Sequence, residues 1–423
     1  MPNIAYIVDE FFPHIRGGLG TYAMEITGRL LSEDLHPVIF TRNTGDDPVS
    51  DLWNAIPVYR PVLLSLGDTL PLLSPLDVQS WDKDGQNFFL ETVLYNYLSA
   101  DHLVRIICRE KKKRIDLVVS HDWMAAPAGL LIRQNLKIPL VFHYHSTEQG
   151  RVEKPSPIVE LIEKTAAKMA DVIITVSHAM KDELVRTGYQ EEKITVIHNG
   201  VDIRRYDPGL FSREMISAFR DRIGLGDCPM ILFVGRLTRV KGVDELVRAM
   251  PLVTREIPDA RLVILGVGEM LGEIRSLVDE LNLSGQVIIH DRFVPERERL
   301  LYYASCDCAV FPSKYEPFGL VCTEAMSMAK PVVVGATGTS GFKEQVITDG
   351  PDQCGYHINP WNPSDIAKYL CILLSDRERM QQLGLAGRRR AVEYFSAEKT
   401  ARMTGDIYRK AIAQSDGVLR GGR

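Results

Sequence analysis

Continuous apolar runs alternate with amphipathic segments along the whole chain. In the first half the runs are 4–8, 37–41, 117–120, 140–144, 172–176 and 194–198. In the second they are 230–234, 262–265, 287–290, 308–311 and 332–334. Runs of Val, Ile and Leu without polar alternation, set between helical stretches, predict parallel strands buried on both faces. Two such series in succession predict two doubly wound α/β domains. The turn-rich stretch 199–209 separates the series and sets the domains at 1–205 and 206–395. Beyond them, Met403, Ile407, Tyr408 and Ile412 recur at helical spacing and predict a terminal helix within 396–423. Residues 43–90 break the alternation. They are rich in Pro, Asp and Leu and predict a long irregular insertion, the candidate acceptor-binding element.

A chain of 423 residues exceeds one compact domain and suits two. The net charge of −5 provides no overall basic field, which argues against nucleic acid as a partner. No apolar run approaches the ~18 residues of a membrane span. The N-terminal MPNIAYIVDEFF enters a strand at once, without a charged leader, and predicts no signal peptide. With seven scattered cysteines, an odd number, this predicts reduced thiols and a cytoplasmic location. Cys306 and Cys308 are the one close pair. With no second pair nearby they read as small buried residues at a strand start, not as a zinc site.

The chemistry concentrates in 313–334. Glu316 and Glu324 flank seven residues, with a strand and turn before them and a helix opening at Gly319 and Leu320. Glu316 is therefore placed in a loop and Glu324 on the helix. Backbone N–H groups from Phe318 to Val321 are donors at a helix N-terminus, where anions bind. Carboxylates accept from sugar hydroxyls and the N–H groups hold phosphates; a nucleotide sugar carries both. Upstream, Arg236 and Lys241 lie in the loop after the strand 230–234, at the sheet end where ligands gather. Fixed cations there neutralise a departing diphosphate.

Gly17 and Gly18 follow the first strand and precede a helix expected from Thr21, so backbone N–H groups can approach an anion. His121-Asp122-Trp123 ends one strand and His143-Tyr144-His145 the next. The 266–272 glycines miss the dinucleotide spacing and read as a nucleotide-pocket turn at Gly266. Asp82-Lys83-Asp84 matches a metal-binding Asp-x-Asp but sits in the insertion, so no metal site is read. The basic run 111–114 reads as a solvated helix end, with a membrane-surface patch as the alternative.

Together these segments resemble the retaining family 4 glycosyltransferases of the GT-B class, the glycogen-synthase-like enzymes. The resemblance covers nearly the whole chain and is most specific in 231–345. It implies a GT-B fold, two Rossmann-like domains facing a central cleft, with terminal helices crossing back to the first. It implies transfer of a hexose, glucose being the expected one, from a nucleotide sugar such as UDP-glucose or ADP-glucose to a sugar, glucan or small acceptor. Retention of configuration, and no metal or other cofactor, are implied as well. On the matching positions Glu316 would contact the sugar, Glu324 the ribose, and Arg236 and Lys241 the leaving diphosphate. Gly17, Gly18, Gly266, Phe318, Gly319 and Leu320 would line the donor, and Asp122 and His145 the acceptor side. His145 is taken as the family's active-site histidine, with His143 the other candidate. Arg16 stands where the glucan synthases usually carry Lys. The alternatives are an epimerase on the same fold or an inactive glycan-binding protein.

Overall fold

A computed structural model describes residues 1–15, 17–45, 47–64 and 74–421. Packing divides the chain into two units. One is Met1–His198 completed by the chain from Glu398 onward; the other is Asn199–Ala397.

The first unit is built on an eight-stranded sheet of order β3-β4-β2-β1-β5-β6-β7-β8. Its strands are β1 Asn3–Ile7, β2 His36–Phe40, β3 Ser50–Trp53, β4 Ile56–Tyr59, β5 Leu117–His121, β6 Leu140–Tyr144, β7 Val172–Thr175 and β8 Ile194–Val196. All neighbours are parallel except the β3–β4 hairpin. Ile4, Tyr6, Leu117, Val119 and Val141 share one core, as expected for strands covered on both faces.

The second unit holds a parallel six-stranded sheet, β11-β10-β9-β12-β13-β14. Its strands are β9 Met230–Val234, β10 Arg261–Leu265, β11 Val287–His290, β12 Cys308–Phe311, β13 Val332–Gly335 and β14 Gly355–Ile358. The register alternates between two cores. Met230, Leu232 and Val234 face one, and Ile231 and Phe233 the other. The order reverses around β9 and β12, which places the loops after those two strands at the sheet's switch point.

Three expectations are corrected. First, residues 43–90 are irregular only in part, although positions 46 and 65–73 lie outside the described residues. They contain the β3–β4 hairpin, and the helix Lys83–Asp101 begins within them. Trp81, Phe88 and Phe89 pack with Trp123 and Val159 in a core of their own. Asp82 caps that helix, accepting from Gly85 N at 2.7 Å, so the Asp-x-Asp match is helix chemistry. Second, the division falls between His198 and Asn199, a few residues before 205. Third, the helix expected from Thr21 begins at Gly18, with Gly17 as its N-cap.

The terminal helix begins at Ala397 and is part of the first unit's core. Ala401, Tyr408 and Ala411 pack with Ile4 and Tyr6. Thr400 Oγ1 donates to His198 O at 2.8 Å, and Arg409 pairs with Glu33 at 3.3 Å. Among the described residues no helix is long and apolar enough to cross a membrane. All seven cysteines are free thiols. Burial pushes the Cys306 thiol up to about 12 and the Cys308 thiol well above its usual range, in keeping with apolar packing.

Candidate active site

The loop from β9 and the loop from β12 are pressed together by glycines that cannot be replaced without a collision. Gly242 has φ +66°, and a Cβ there would lie 2.2 Å from Pro312 O. Lys314 N donates to Val240 O at 2.7 Å. A Cβ on Gly335 would meet Ser313 O at 2.3 Å. The backbone of Glu316 is pinned on both sides: its N–H donates to Thr339 O at 3.1 Å, and its carbonyl accepts from Gly341 N at 2.8 Å. Held in this way, the Glu316 carboxylate meets the Lys241 ammonium in a direct ion pair. It also accepts from Ser313 Oγ at 3.2 Å. Both charged groups are largely buried, so the pair is preorganised and weakly screened. Arg236 is exposed and forms no ion pair among the described residues.

Gly319, at φ +93°, caps the helix Leu320–Ser327. The N–H groups of Leu320 and Val321 open that helix and have no intrahelical acceptor. Phe318 contributes only backbone to this nest; its ring is buried 5.9 Å from that of Phe395. Gly266 packs against the β9 loop, where a Cβ would lie 2.1 Å from Gly235 O.

Glu324 lies on the helix, as expected, but inside a cluster that sequence reasoning missed. Its Oε1 accepts from Tyr206 OH at 3.0 Å and its Oε2 from Tyr303 OH at 2.8 Å. Arg299 lies 3.6 Å away. Burial, the largest single influence, lowers the Arg299 pKa; Glu324, Tyr206 and Tyr303 together outweigh it and raise the value. Each Glu324 oxygen has one phenol partner and keeps one lone pair for another donor.

In the first unit, the three histidines at the ends of β5 and β6 come together. His121 Nδ1 and His145 Nε2 are 3.0 Å apart, and His143 Nε2 pairs with Tyr408 OH at 2.9 Å. Burial lowers the pKa of all three, most strongly for His121 and His143, so they are neutral at pH 7. Their nitrogens lie within 4.8 Å of one another. The ring planes are inclined by 13–33°, and each ring offers one nitrogen that a metal ion could use. Tyr22 packs edge-on against His145 with ring centroids 4.7 Å apart.

Asp122 opens its helix with φ +52°. Its carboxylate accepts from His145 N at 2.7 Å and Ser146 N at 3.4 Å, so it positions the histidine through the backbone. Glu163 continues this support, accepting from Glu148 N at 3.0 Å and pairing with Arg151 at 3.4 Å. Burial pushes Glu163 up to about 8. Between about 4.5 and 8 the folded chain thus binds a proton that the unfolded chain releases. Glu163 should make stability fall as pH rises through that window. Glu163→Gln should remove that part of the slope when unfolding midpoints are compared across pH; an unchanged slope overturns the assignment.

Gly17 N donates to Glu10 Oε2 at 3.1 Å, so a carboxylate of the same loop occupies the N–H proposed for phosphate. Arg16 lies outside the described residues. Glu10, Tyr206, Arg299 and Tyr303 were not anticipated, because none sits in a local pattern with the group it touches.

Residues 16–205 match the model of Glycosyltransferase Family 4, and residues 216–390 that of Glycosyl transferases group 1. An uncharacterized glycosyltransferase of Methanocaldococcus jannaschii is 30% identical over 97% of this chain and 98% of its own length. A glycogen synthase of Mycobacterium tuberculosis is 28% identical over 94% and 92%. Among solved structures, a sucrose-phosphate synthase from Thermosynechococcus elongatus superposes with a TM-score of 0.80 at 25% identity, covering 98% of this chain and all of that one. The fold is GT-B, two Rossmann-like domains, and the chain belongs to the glycogen-synthase-like family 4 glycosyltransferases. It is a glycosyltransferase that uses a nucleotide sugar.

Proposed function

We propose that the protein transfers a glucosyl group from a nucleoside diphosphate sugar to an acceptor hydroxyl with retention of configuration. The observation that carries this is the joined Lys241 and Glu316 side chains beside the open N–H groups of Leu320 and Val321. Arg236 and Lys241 balance charge on the departing diphosphate, Glu316 orients the hexose, and Glu324 takes the ribose. The anomeric C–O bond to the diphosphate breaks as the acceptor oxygen bonds to the same face, and the leaving phosphate takes the acceptor's proton. No side chain acts as nucleophile. We assign the transferred sugar to His145, whose backbone Asp122 holds, and the acceptor to the first unit, with 43–90 contributing.

A thermal-shift screen of UDP-, ADP- and GDP-glucose tests the donor. One series should stabilise the protein, by about 2.7 kcal/mol at a hundredfold excess over Kd; no response to any of them overturns the reading. Sugar consumption without an acceptor would instead favour the epimerase alternative.

Charge neutralisation by Arg236 and Lys241 makes a metal unnecessary, and Asp82 is committed to its helix cap. Activity should therefore survive EDTA. Loss that Mg²⁺ restores would overturn metal independence.

A further inference from the structure

We propose that Arg60 receives an anionic group of the acceptor, a phosphate or a carboxylate. The proposal rests on the assignment of the acceptor to the first unit and names its chemistry. Arg60 follows β4 directly, and its side chain is buried, with the residue 2% exposed. Nη2 donates to Phe12 O at 2.6 Å. Nη1 is buried and has no acceptor. No carboxylate among the described residues pairs with this guanidinium.

The contrast with Arg42 is direct. Arg42 lies two residues past the neighbouring strand β2 and is also buried, but it pairs with Asp9 at 3.0 Å and Glu91 at 3.7 Å. Asp47, in the loop before β3, pairs with His14 at 2.9 Å, and Asp51 is exposed. A buried cation without a counterion is costly, and proteins as a rule pair such charges. Arg60 is the exception, and it lies at the C-terminal end of a parallel sheet, where open α/β folds bind ligands. Among the described residues its guanidinium has one partner, Phe12, which sits in the loop that runs to Gly17, the N-cap of the next helix. A planar guanidinium with an unmet N–H matches an oxyanion in both charge and geometry.

The test uses the full chain, saturated with its nucleoside diphosphate so that the donor site is filled. Binding of glucose 6-phosphate, glucuronate and glucose is then compared by calorimetry. At least one of the two anionic sugars should bind about tenfold or more tightly than glucose; which one does separates phosphate from carboxylate. Arg60→Met should abolish that preference while nucleoside diphosphate affinity stays unchanged. Arg60→Lys, which keeps the charge, should retain part of it and serves if the methionine variant fails to fold. Equal binding of charged and neutral sugars by the wild type overturns the proposal, as does a preference that survives Arg60→Met. Failure to bind any nucleoside diphosphate would instead count against the donor reading, independently of Arg60.

Discussion

Lys241→Ala is expected to lower turnover by about 10²–10³-fold, the scale for losing one preorganised group that stabilises transition-state charge. Two losses combine. The departing diphosphate loses a fixed cation, and Glu316 loses the partner that holds its buried carboxylate, leaving only Ser313 among its side-chain contacts. The effect should fall on kcat more than on donor KM, because charge on the diphosphate grows as the glycosidic bond breaks. Arg236→Ala should also reduce kcat, without disturbing Glu316, since Arg236 touches no carboxylate among the described residues. Steady-state kinetics on the two variants decide the matter. Near wild-type turnover in both would show that the diphosphate is stabilised elsewhere.

Glu324→Gln should carry two separable effects. Arg299 would lose its nearest carboxylate while remaining largely buried. Tyr206 and Tyr303 would share an amide with only one acceptor oxygen. Breaking a buried pair costs about 3–5 kcal/mol, and the lower figure applies here because Glu296 remains 3.8 Å from Arg299. Thermal unfolding should show this loss. Calorimetry should also show weaker binding of the free nucleoside diphosphate, because the ribose loses an acceptor. Tyr206→Phe is the control: it removes a hydroxyl from the cluster without removing the carboxylate, so it should lower stability and leave affinity intact. Normal nucleotide binding by Glu324→Gln would restrict Glu324 to holding the cluster together.

The central strands were readable in the sequence because each is covered on both faces and needs an unbroken apolar run. Val332–Val334 and Met230–Val234 could hardly be anything else. Three strands at or next to a sheet edge lack that demand. Ser50–Trp53 is largely exposed, Ile56–Tyr59 contains Pro57, and Gly355–Ile358 mixes Gly and His with apolar residues, so none stood out. The site divides along the same line. Lys241, Glu316 and Gly319 sit in short segments whose spacing has a chemical reason. Tyr206 reaches Glu324 across 118 residues, and Tyr408 reaches His143 across 265. No periodicity encodes such meetings; only the packed fold creates them.

That last distance bears on how the chain is made. During synthesis residues 1–198 precede 199–397, yet the first unit's core lacks Ala401, Tyr408 and Ala411 until those residues have been made. The second unit, Asn199–Ala397, is complete in sequence before then. The order of translation and the order of completion are therefore inverted: the earlier half waits for Ala401, Tyr408 and Ala411 to complete its core.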